Sequence, residues 1–215
     1  MDGNGRWAEK HGYKRTKGHE RGAQVTREMT VYCADHPTIE TVTYYAFSTE
    51  NWKRPKLEVE YLMKLLDRYL KKELETYQEE NIRFEAIGDL SAFSRKLQER
   101  ISLTTELTKN NTRLTQILAL NYGGRDEIVR AANRLIGNGE KITEESLGAA
   151  LDTPYQDIDL LIRTSGEQRL SNYLLWQLSY SEFAFTPTLW PDFTTDELAL
   201  IISDFEKRKR RFGGI

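Results

Sequence analysis

Short runs of apolar and β-branched residues alternate along the chain with longer stretches in which apolar residues recur at helical spacing. The short runs predict strands at residues 41–47, 82–87, 114–120, 160–162 and 183–185. The helical spacing predicts helices at residues 19–34, 57–80, 92–109, 125–136, 172–179 and 196–210. This alternation favours an α/β fold, in which helices flank a mostly parallel central sheet.

Composition narrows the class of protein. The length of 215 residues suits one domain with a sizeable core, with two small lobes as the alternative. A net charge of −2 gives the whole molecule no attraction for nucleic acid or anionic membrane. No run approaches the ~18 apolar residues of a membrane span. The single cysteine, Cys33, excludes a disulfide within the chain and a cysteine zinc site, and it favours the reducing cytoplasm.

Polar segments follow three of the predicted strands. They occupy residues 48–55, 121–125 and 163–171, and all carry polar, glycine or arginine residues where a simple connection needs few. Ligands of open parallel sheets gather at the carboxyl ends of the strands. We therefore predict that these segments form walls of one site.

The segment Gly3-Asn4-Gly5-Arg6 is suited to binding phosphate, because glycines let backbone N–H groups approach an anion and arginine adds a bidentate donor. Asp2 stands directly before it and should repel the same anion, at roughly 4 kcal/mol for charges about 4 Å apart. The segment also fits the dinucleotide pattern G-x-G-x-x-A, although Asp2 and Arg6 argue against that reading. A simple turn without a ligand is the remaining alternative.

Further basic residues form two clusters. The first contains Arg15, His19 and Arg54, and the second contains Arg163 and Arg169 with Ser171 at the start of the predicted helix 172–179. A surface ion pair explains most single arginines. Two clusters at strand ends of an acidic chain instead suggest two phosphorylated groups. The basic run at 207–211 is typical of a solvated helix end, with a nucleic-acid tail as the alternative.

Together the motifs resemble the cis-prenyltransferase family. The matching segments, in chain order, are residues 1–8, 45–55, 121–125, 162–172, 174–185, 189–193 and 210–214. They span nearly the whole chain. The resemblance implies a homodimer of α/β subunits, each with a hydrophobic tunnel. The implied reaction adds isopentenyl diphosphate units to farnesyl diphosphate with cis double bonds.

Position by position, the resemblance implies roles for individual residues. Asp2 and Asn51 are the implied catalytic residues, and Mg²⁺ held by Asp2 and Glu182 would turn the repulsion between Asp2 and a diphosphate into coordination. The implied substrate-binding residues are Gly3, Asn4, Gly5, Arg6, Trp7, Arg15, His19, Ser48, Thr49, Glu50, Trp52, Arg54, Arg163, Arg169, Leu170, Ser171, Arg211 and Gly213. Those before residue 20 would serve the allylic diphosphate, and Arg163, Arg169 and Ser171 would serve isopentenyl diphosphate. Residues 48–54 resemble a mobile loop that closes over substrates, and residues 211–213 resemble an element that reaches the partner's site.

The resemblance also implies a product and a location. We expect a long polyprenyl diphosphate, with C55 as its length, as the lipid carrier for cell-wall glycans. We expect a cytoplasmic enzyme with peripheral contact to the inner face of the plasma membrane through its lipid product, and no nucleic-acid partner. Residues 1–215 should form a single catalytic domain, although the family has a strand before the Asp2 motif that this sequence lacks. The alternatives are a dinucleotide oxidoreductase, a non-catalytic partner subunit of the same fold, and a nucleic-acid binder.

The tunnel wall should include the predicted helix 57–80 and the predicted strand 114–120. Alternate strand residues point to opposite faces of a sheet. One face carries Leu114, Gln116, Leu118 and Leu120, and the other carries Thr115, Ile117 and Ala119. The sequence leaves open which face meets the lipid, and polar Gln116 gives a mild preference for the second.

Overall fold

A computed structural model of the protein describes residues 1–155 and 157–209. The helices are Asn4–Lys10 (α1), Arg15–Asp35 (α2), Lys56–Glu79 (α3), Arg95–Thr108 (α4), Gly124–Gly137 (α5), Glu144–Ala149 (α6) and Thr195–Glu206 (α7). The strands are Thr41–Ser48 (β1), Ile82–Ile87 (β2), Leu114–Tyr122 (β3), Leu160–Arg163 (β4) and Glu182–Phe185 (β5). All the predicted strands are thus confirmed, and so is every predicted helix except the one at 172–179. In the described residues, no helix combines the length and apolar character that crossing a bilayer requires.

The predicted helix at 172–179 is wrong, because these residues form a series of turns. Asn172 and Leu174 have left-handed backbone conformations, with φ of 63° and 42°, which an α-helix cannot accommodate. Asn172 instead binds the start of α5. Its carbonyl oxygen accepts from the Gly124 N–H at 2.7 Å, and its side-chain Oδ1 accepts from the Arg125 N–H at 3.0 Å. The apolar spacing of this segment therefore serves core packing rather than a helix.

The chain separates into two compact units, one of Met1–Tyr122 with Leu189–Asp192, and one of Gly123–Thr188 with the chain from Phe193 onwards. The first unit holds a parallel sheet of order β1-β3-β2. Its central strand, β3, is almost entirely buried, as expected of a parallel strand covered on both faces. In the second unit, β4 pairs in parallel with β5. The predicted parallel pairing is confirmed, and the strands fall in two sheets.

Helix α3 covers the face of the first sheet that carries Gln116. Phe84 lies opposite Gln116 in the parallel register, and the Phe84 ring stacks on Tyr77 of α3 with centroids 5.7 Å apart. Opposed residues of paired strands point to the same face. The face that carries Leu114 and Gln116 is therefore the one that meets α3. The Gln116 side chain is itself fully buried on this face, and which face lines a lipid tunnel stays a prediction.

Candidate functional site

The segment predicted to bind phosphate, Gly3-Asn4-Gly5-Arg6, forms the N-cap and the first turn of α1. Gly3 precedes this helix in a left-handed conformation with φ of 109°, and its carbonyl oxygen accepts from the Trp7 N–H at 2.8 Å. A Cβ atom at Gly3 would lie 2.9 Å from Cδ2 of Leu189. Glycine is required at this position by both the backbone conformation and the close neighbour.

Helix α1 lies unusually close to α2, because glycines line their contact. A Cβ atom on Gly18 would lie 1.9 Å from the carbonyl oxygen of Asn4, and one on Gly5 would lie 2.5 Å from Cζ of Arg15. The missing side chain of Gly5 therefore makes room for the Arg15 guanidinium beside α1. The glycines place a cation of α2 next to the first turn of α1.

Gly18→Ala is expected to destabilise the protein by about 1–3 kcal/mol, as overpacking of a tight contact does. The added methyl group would overlap a backbone carbonyl, which cannot move without displacing α1. Chemical denaturation measures the change in the free energy of unfolding. Gly137→Ala, where an added Cβ meets nothing within 4 Å, is the control, and equal stability of the two variants would contradict the expectation.

Asp2 and Arg6 form an ion pair at the start of α1. The distance from Asp2 Oδ1 to Arg6 Nη2 is 3.4 Å, and the two side chains are 38% and 47% exposed. The main chain of Asp2 is anchored, because its carbonyl oxygen accepts from the Trp190 N–H at 3.0 Å. Trp7 donates from Nε1 to Asp192 Oδ1 at 2.6 Å. The carboxylate and the guanidinium are thus held on a fixed backbone while remaining accessible to a ligand.

All three basic residues of the first cluster converge on Glu58, which the sequence analysis missed. Glu58 lies within 3.4 Å of Arg15 Nε, 3.4 Å of His19 Nε2 and 3.1 Å of Arg54 Nη1. Its side chain is only 13% exposed. Burial alone would raise the pKa of Glu58, but Arg15, Arg54 and His19 together hold that pKa below its usual value. Glu58 is therefore a carboxylate at which three diphosphate-binding candidates meet. Its one sequence signal is its i,i+4 spacing from Arg54, which lies two residues before α3.

His19 contributes to this cluster as a neutral group. Burial lowers the pKa of His19 below its usual value, and the positive charge of Arg54 lowers it further, against the opposing effect of Glu58. The imidazole is therefore neutral at pH 7 and acts as a hydrogen-bond partner. The permanent positive charges of the first cluster are those of Arg15 and Arg54.

The segment after β1 forms a 3₁₀ turn over Thr49–Lys53, which includes Glu50 and Trp52. The side-chain Oδ1 of Asn51 accepts from the backbone N–H of Ser48 at 3.1 Å. This bond engages the acceptor end of the carboxamide and leaves its NH₂ group as the end suited to a ligand. The geometry suits a residue that orients substrate better than a base that removes a proton.

In the second unit, the structure brings the basic residues of the second cluster together at the end of β4. Arg163 Nη1 donates to the Ser171 hydroxyl at 2.8 Å and to the carbonyl oxygen of Arg169. Arg169 itself pairs with Glu167. Ser171 has φ of 51° and does not begin a helix, so the expectation of a helix start at this point is wrong. Ser171 is instead held by the hydrogen bond that its hydroxyl accepts from Arg163. Leu170, the residue before Ser171, is half-buried.

Glu182, the predicted metal ligand of the second unit, is the first residue of β5. Its Oε2 lies 3.0 Å from Arg208 Nη1, and Arg208 Nη2 lies 2.8 Å from Asp204. A cation thus already neutralises the Glu182 carboxylate. Over residues 1–155 and 157–209, no group of three or more His, Cys, Asp or Glu side chains is arranged to bind a metal. Arg211 and Gly213 lie outside the described residues.

Named relatives match this chain over its whole length. The prenyltransferase family model described as undecaprenyl diphosphate synthase matches residues 1–213. The isoprenyl transferase of Wolinella succinogenes is 57% identical over 216 residues, which cover 100% of this chain and 94% of that protein. The isoprenyl transferase of Helicobacter hepaticus is 51% identical, with coverage of 100% and 94%.

Solved structures show the same similarity. A crystal structure of a probable undecaprenyl diphosphate synthase from Campylobacter jejuni has a TM-score of 0.83 at 44% identity, and the match covers 90% of this chain and 92% of that one. Lavandulyl diphosphate synthase from Lavandula x intermedia, solved with dimethylallyl diphosphate, has a TM-score of 0.92 at 37% identity, over 99% and 95%. The chain therefore belongs to the prenyltransferase family of the undecaprenyl diphosphate synthases and is a prenyl-transferring enzyme, as its motifs indicated.

Proposed function

We propose that this enzyme transfers the prenyl chain of farnesyl diphosphate to isopentenyl diphosphate, and repeats the step with cis geometry to make a C55 polyprenyl diphosphate. One observation carries the proposal: each compact unit has its own arginine cluster, one around Glu58 and one at the end of β4. A condensation of two diphosphates needs two such groups. In each cycle the allylic C–O bond breaks, a C–C bond to isopentenyl diphosphate forms, and that substrate loses a proton.

The residues of the first cluster would bind the diphosphate that leaves. Arg15 and Arg54 can donate charge-assisted hydrogen bonds to its oxygens, and neutral His19 can add one more. Glu58 keeps these donors together. Positive charge fixed where negative charge develops favours the departure of the diphosphate.

We propose Mg²⁺ as the cofactor, held by Asp2. Mg²⁺ is usually bound by one or two carboxylates together with substrate phosphates and water, and a single accessible carboxylate fits that donor set. The metal would supply positive charge to the leaving diphosphate. Glu182 remains the second proposed ligand, although it would first have to exchange Arg208 for the metal.

We further propose that the enzyme is a cytoplasmic homodimer that meets the inner face of the plasma membrane through its product, the lipid carrier for cell-wall glycans. Exposed apolar side chains in the second unit support self-association. They are Phe183 and Phe185 of β5, with ring centroids 6.1 Å apart, and Leu200 of α7. Analytical ultracentrifugation tests this: a purely monomeric protein at micromolar concentration would contradict the dimer.

Incubation with labelled isopentenyl diphosphate, farnesyl diphosphate and Mg²⁺ tests the proposed reaction directly. The expected result is a ladder of polyprenyl diphosphates that ends near C55, and no product when EDTA replaces Mg²⁺. Binding of NAD(H) without incorporation of label would instead support the dinucleotide alternative.

The two arginine clusters should separate kinetically. Arg169→Ala is expected to raise the KM for isopentenyl diphosphate by about tenfold or more with a smaller effect on farnesyl diphosphate, and Arg15→Ala the reverse. Each variant loses charge-assisted hydrogen bonds to a different diphosphate. Steady-state kinetics with each substrate varied in turn measure the effect. Arg95→Ala, which removes an exposed ion pair with Glu99, is the control. Equal effects on both substrates would remove the two-site assignment.

Product length should respond to the half-buried leucines of α3. We expect Leu66→Ala to lengthen the products and Leu66→Trp to shorten them, because each added isoprene unit gains about 3–4 kcal/mol while the tunnel accepts it. Chromatography of the labelled products gives the chain-length distribution. Leu107→Ala, at an exposed position of α4, is the control. Two active Leu66 variants with the parent distribution would show that α3 does not line the tunnel at this point.

A further inference from the structure

Asn121, at the end of β3, connects three segments of the first unit. It is 6% exposed and has a left-handed backbone conformation with φ of 48°. Its Oδ1 accepts from Nε1 of Trp52 at 2.7 Å, and its Nδ2 donates to the carbonyl oxygen of Asp89 at 2.8 Å. Both ends of one carboxamide are therefore engaged, one by the turn after β1 and one by the segment after β2.

Trp52 attaches the 3₁₀ turn Thr49–Lys53 to the sheet. The Trp52 ring meets Phe47 edge-on at 5.0 Å between centroids and lies 5.9 Å from Phe93. These rings hold its apolar surface, while the bond to Asn121 satisfies the indole N–H. Trp52 directly follows Asn51 in this turn, so its attachment also fixes the backbone that carries Asn51.

We propose that Asn121 is a positioning residue, which holds Trp52 and thereby sets the position of Asn51 for prenyl transfer. This inference rests on the proposed function, because Asn51 acts on substrate only there. Asparagine suits the position for two reasons. It tolerates the left-handed conformation, and it alone combines a short side chain with one acceptor for the indole and one donor for the Asp89 carbonyl.

Two replacements at position 121 show why the role needs an asparagine. Aspartate would keep an acceptor for Trp52 but would place an oxygen against the Asp89 carbonyl oxygen. Glycine would adopt the same backbone conformation without strain and would remove the carboxamide altogether. Asn121→Gly therefore isolates the side-chain bonds from the backbone geometry.

A double-mutant cycle tests the proposal with Asn121→Gly, Trp52→Phe and the double variant, each assayed for kcat and KM with both diphosphates. Trp52→Phe removes the indole N–H and keeps an aromatic ring. Each single variant is expected to lower kcat by up to about tenfold, as loss of buried hydrogen bonds does. The kcat of the double variant should lie within about twofold of the kcat of the less active single variant. If the loss of kcat in the double variant equals the product of the two single losses, the proposal is overturned.

Amide hydrogen exchange without substrate gives a readout that does not depend on catalysis. Exchange at residues 49–53 should accelerate in both single variants and no further in the double variant. A parent enzyme that transfers no prenyl group would overturn the proposed function, whereas unchanged exchange at these residues would overturn the role of Asn121. If Asn121→Gly does not fold, Asn121→Asp replaces it in the cycle. Trp52→Phe should then still lower kcat in that background, and no effect there would count against the proposal.

Discussion

Asp2→Ala is expected to lower kcat by about a thousandfold and to leave the fold intact. Loss of the carboxylate that would hold Mg²⁺ removes electrostatic stabilisation of the leaving diphosphate, and losses of 10²–10³ are typical for one such group. Stability should change little. The Asp2 side chain is more than a third exposed, and the bond from Trp190 goes to its main-chain carbonyl, which alanine keeps.

The measurement is steady-state turnover at saturating Mg²⁺, with thermal unfolding to confirm the fold. Asp35→Ala removes another exposed carboxylate of the same unit, the partner of Arg113, and should keep the parent rate. Asp2→Asn should raise the Mg²⁺ concentration needed for half-maximal turnover. Turnover of Asp2→Ala at the parent level would exclude Asp2 from the catalytic machinery.

Asn51→Ala is expected to lower kcat by about a hundredfold, and Asn51→Asp should not recover the parent rate at any pH. A carboxamide is a very weak base, far from the matched pKa that proton abstraction favours. The structure adds a second reason, because Oδ1 of Asn51 already accepts from the Ser48 N–H. We therefore expect Asn51 to orient isopentenyl diphosphate or to relay the proton to a diphosphate oxygen. A carboxylate in its place would repel both substrates.

The pH dependence of kcat and of kcat/KM for Asn51→Asp, from about pH 6 to about pH 9, distinguishes these roles. Asn133→Asp, at an exposed position of α5, controls for the added charge. A rate at or above the parent level that rises with ionisation of the new carboxylate would identify residue 51 as the base, contrary to our expectation.

Local patterns in the sequence were enough to predict the strands and most helices. Strand β3 contains the apolar run 117–120 and is buried on both faces, and the spacing of apolar residues in α2, α3 and α5 follows the helical repeat. These signals are local, since each depends on residues a few positions apart. The family motifs are local in the same sense, and they identified the family, which the relatives confirm.

The same local signals failed where tertiary contacts set the backbone. The apolar spacing at 172–179 is real, but Asn172 binds the amides at the start of α5 and has a left-handed backbone conformation, which an α-helix cannot accommodate. Helix α1 was not among the predicted helices, and glycines, which are poor helix formers, lie at its start. The glycines are there because α2 approaches too closely for side chains.

Residue type and order were enough to predict the fold class and the family, which are confirmed, whereas the diphosphate-binding residues remain predictions. Only the tertiary structure decided how these residues are connected. Glu58 gathers Arg15, His19 and Arg54, burial and Arg54 keep His19 neutral, and Asn121 binds Trp52 across 69 positions of sequence. Hydrogen bonds and charge interactions depend on distances of a few ångströms between residues far apart in the chain, and no local pattern encodes those distances.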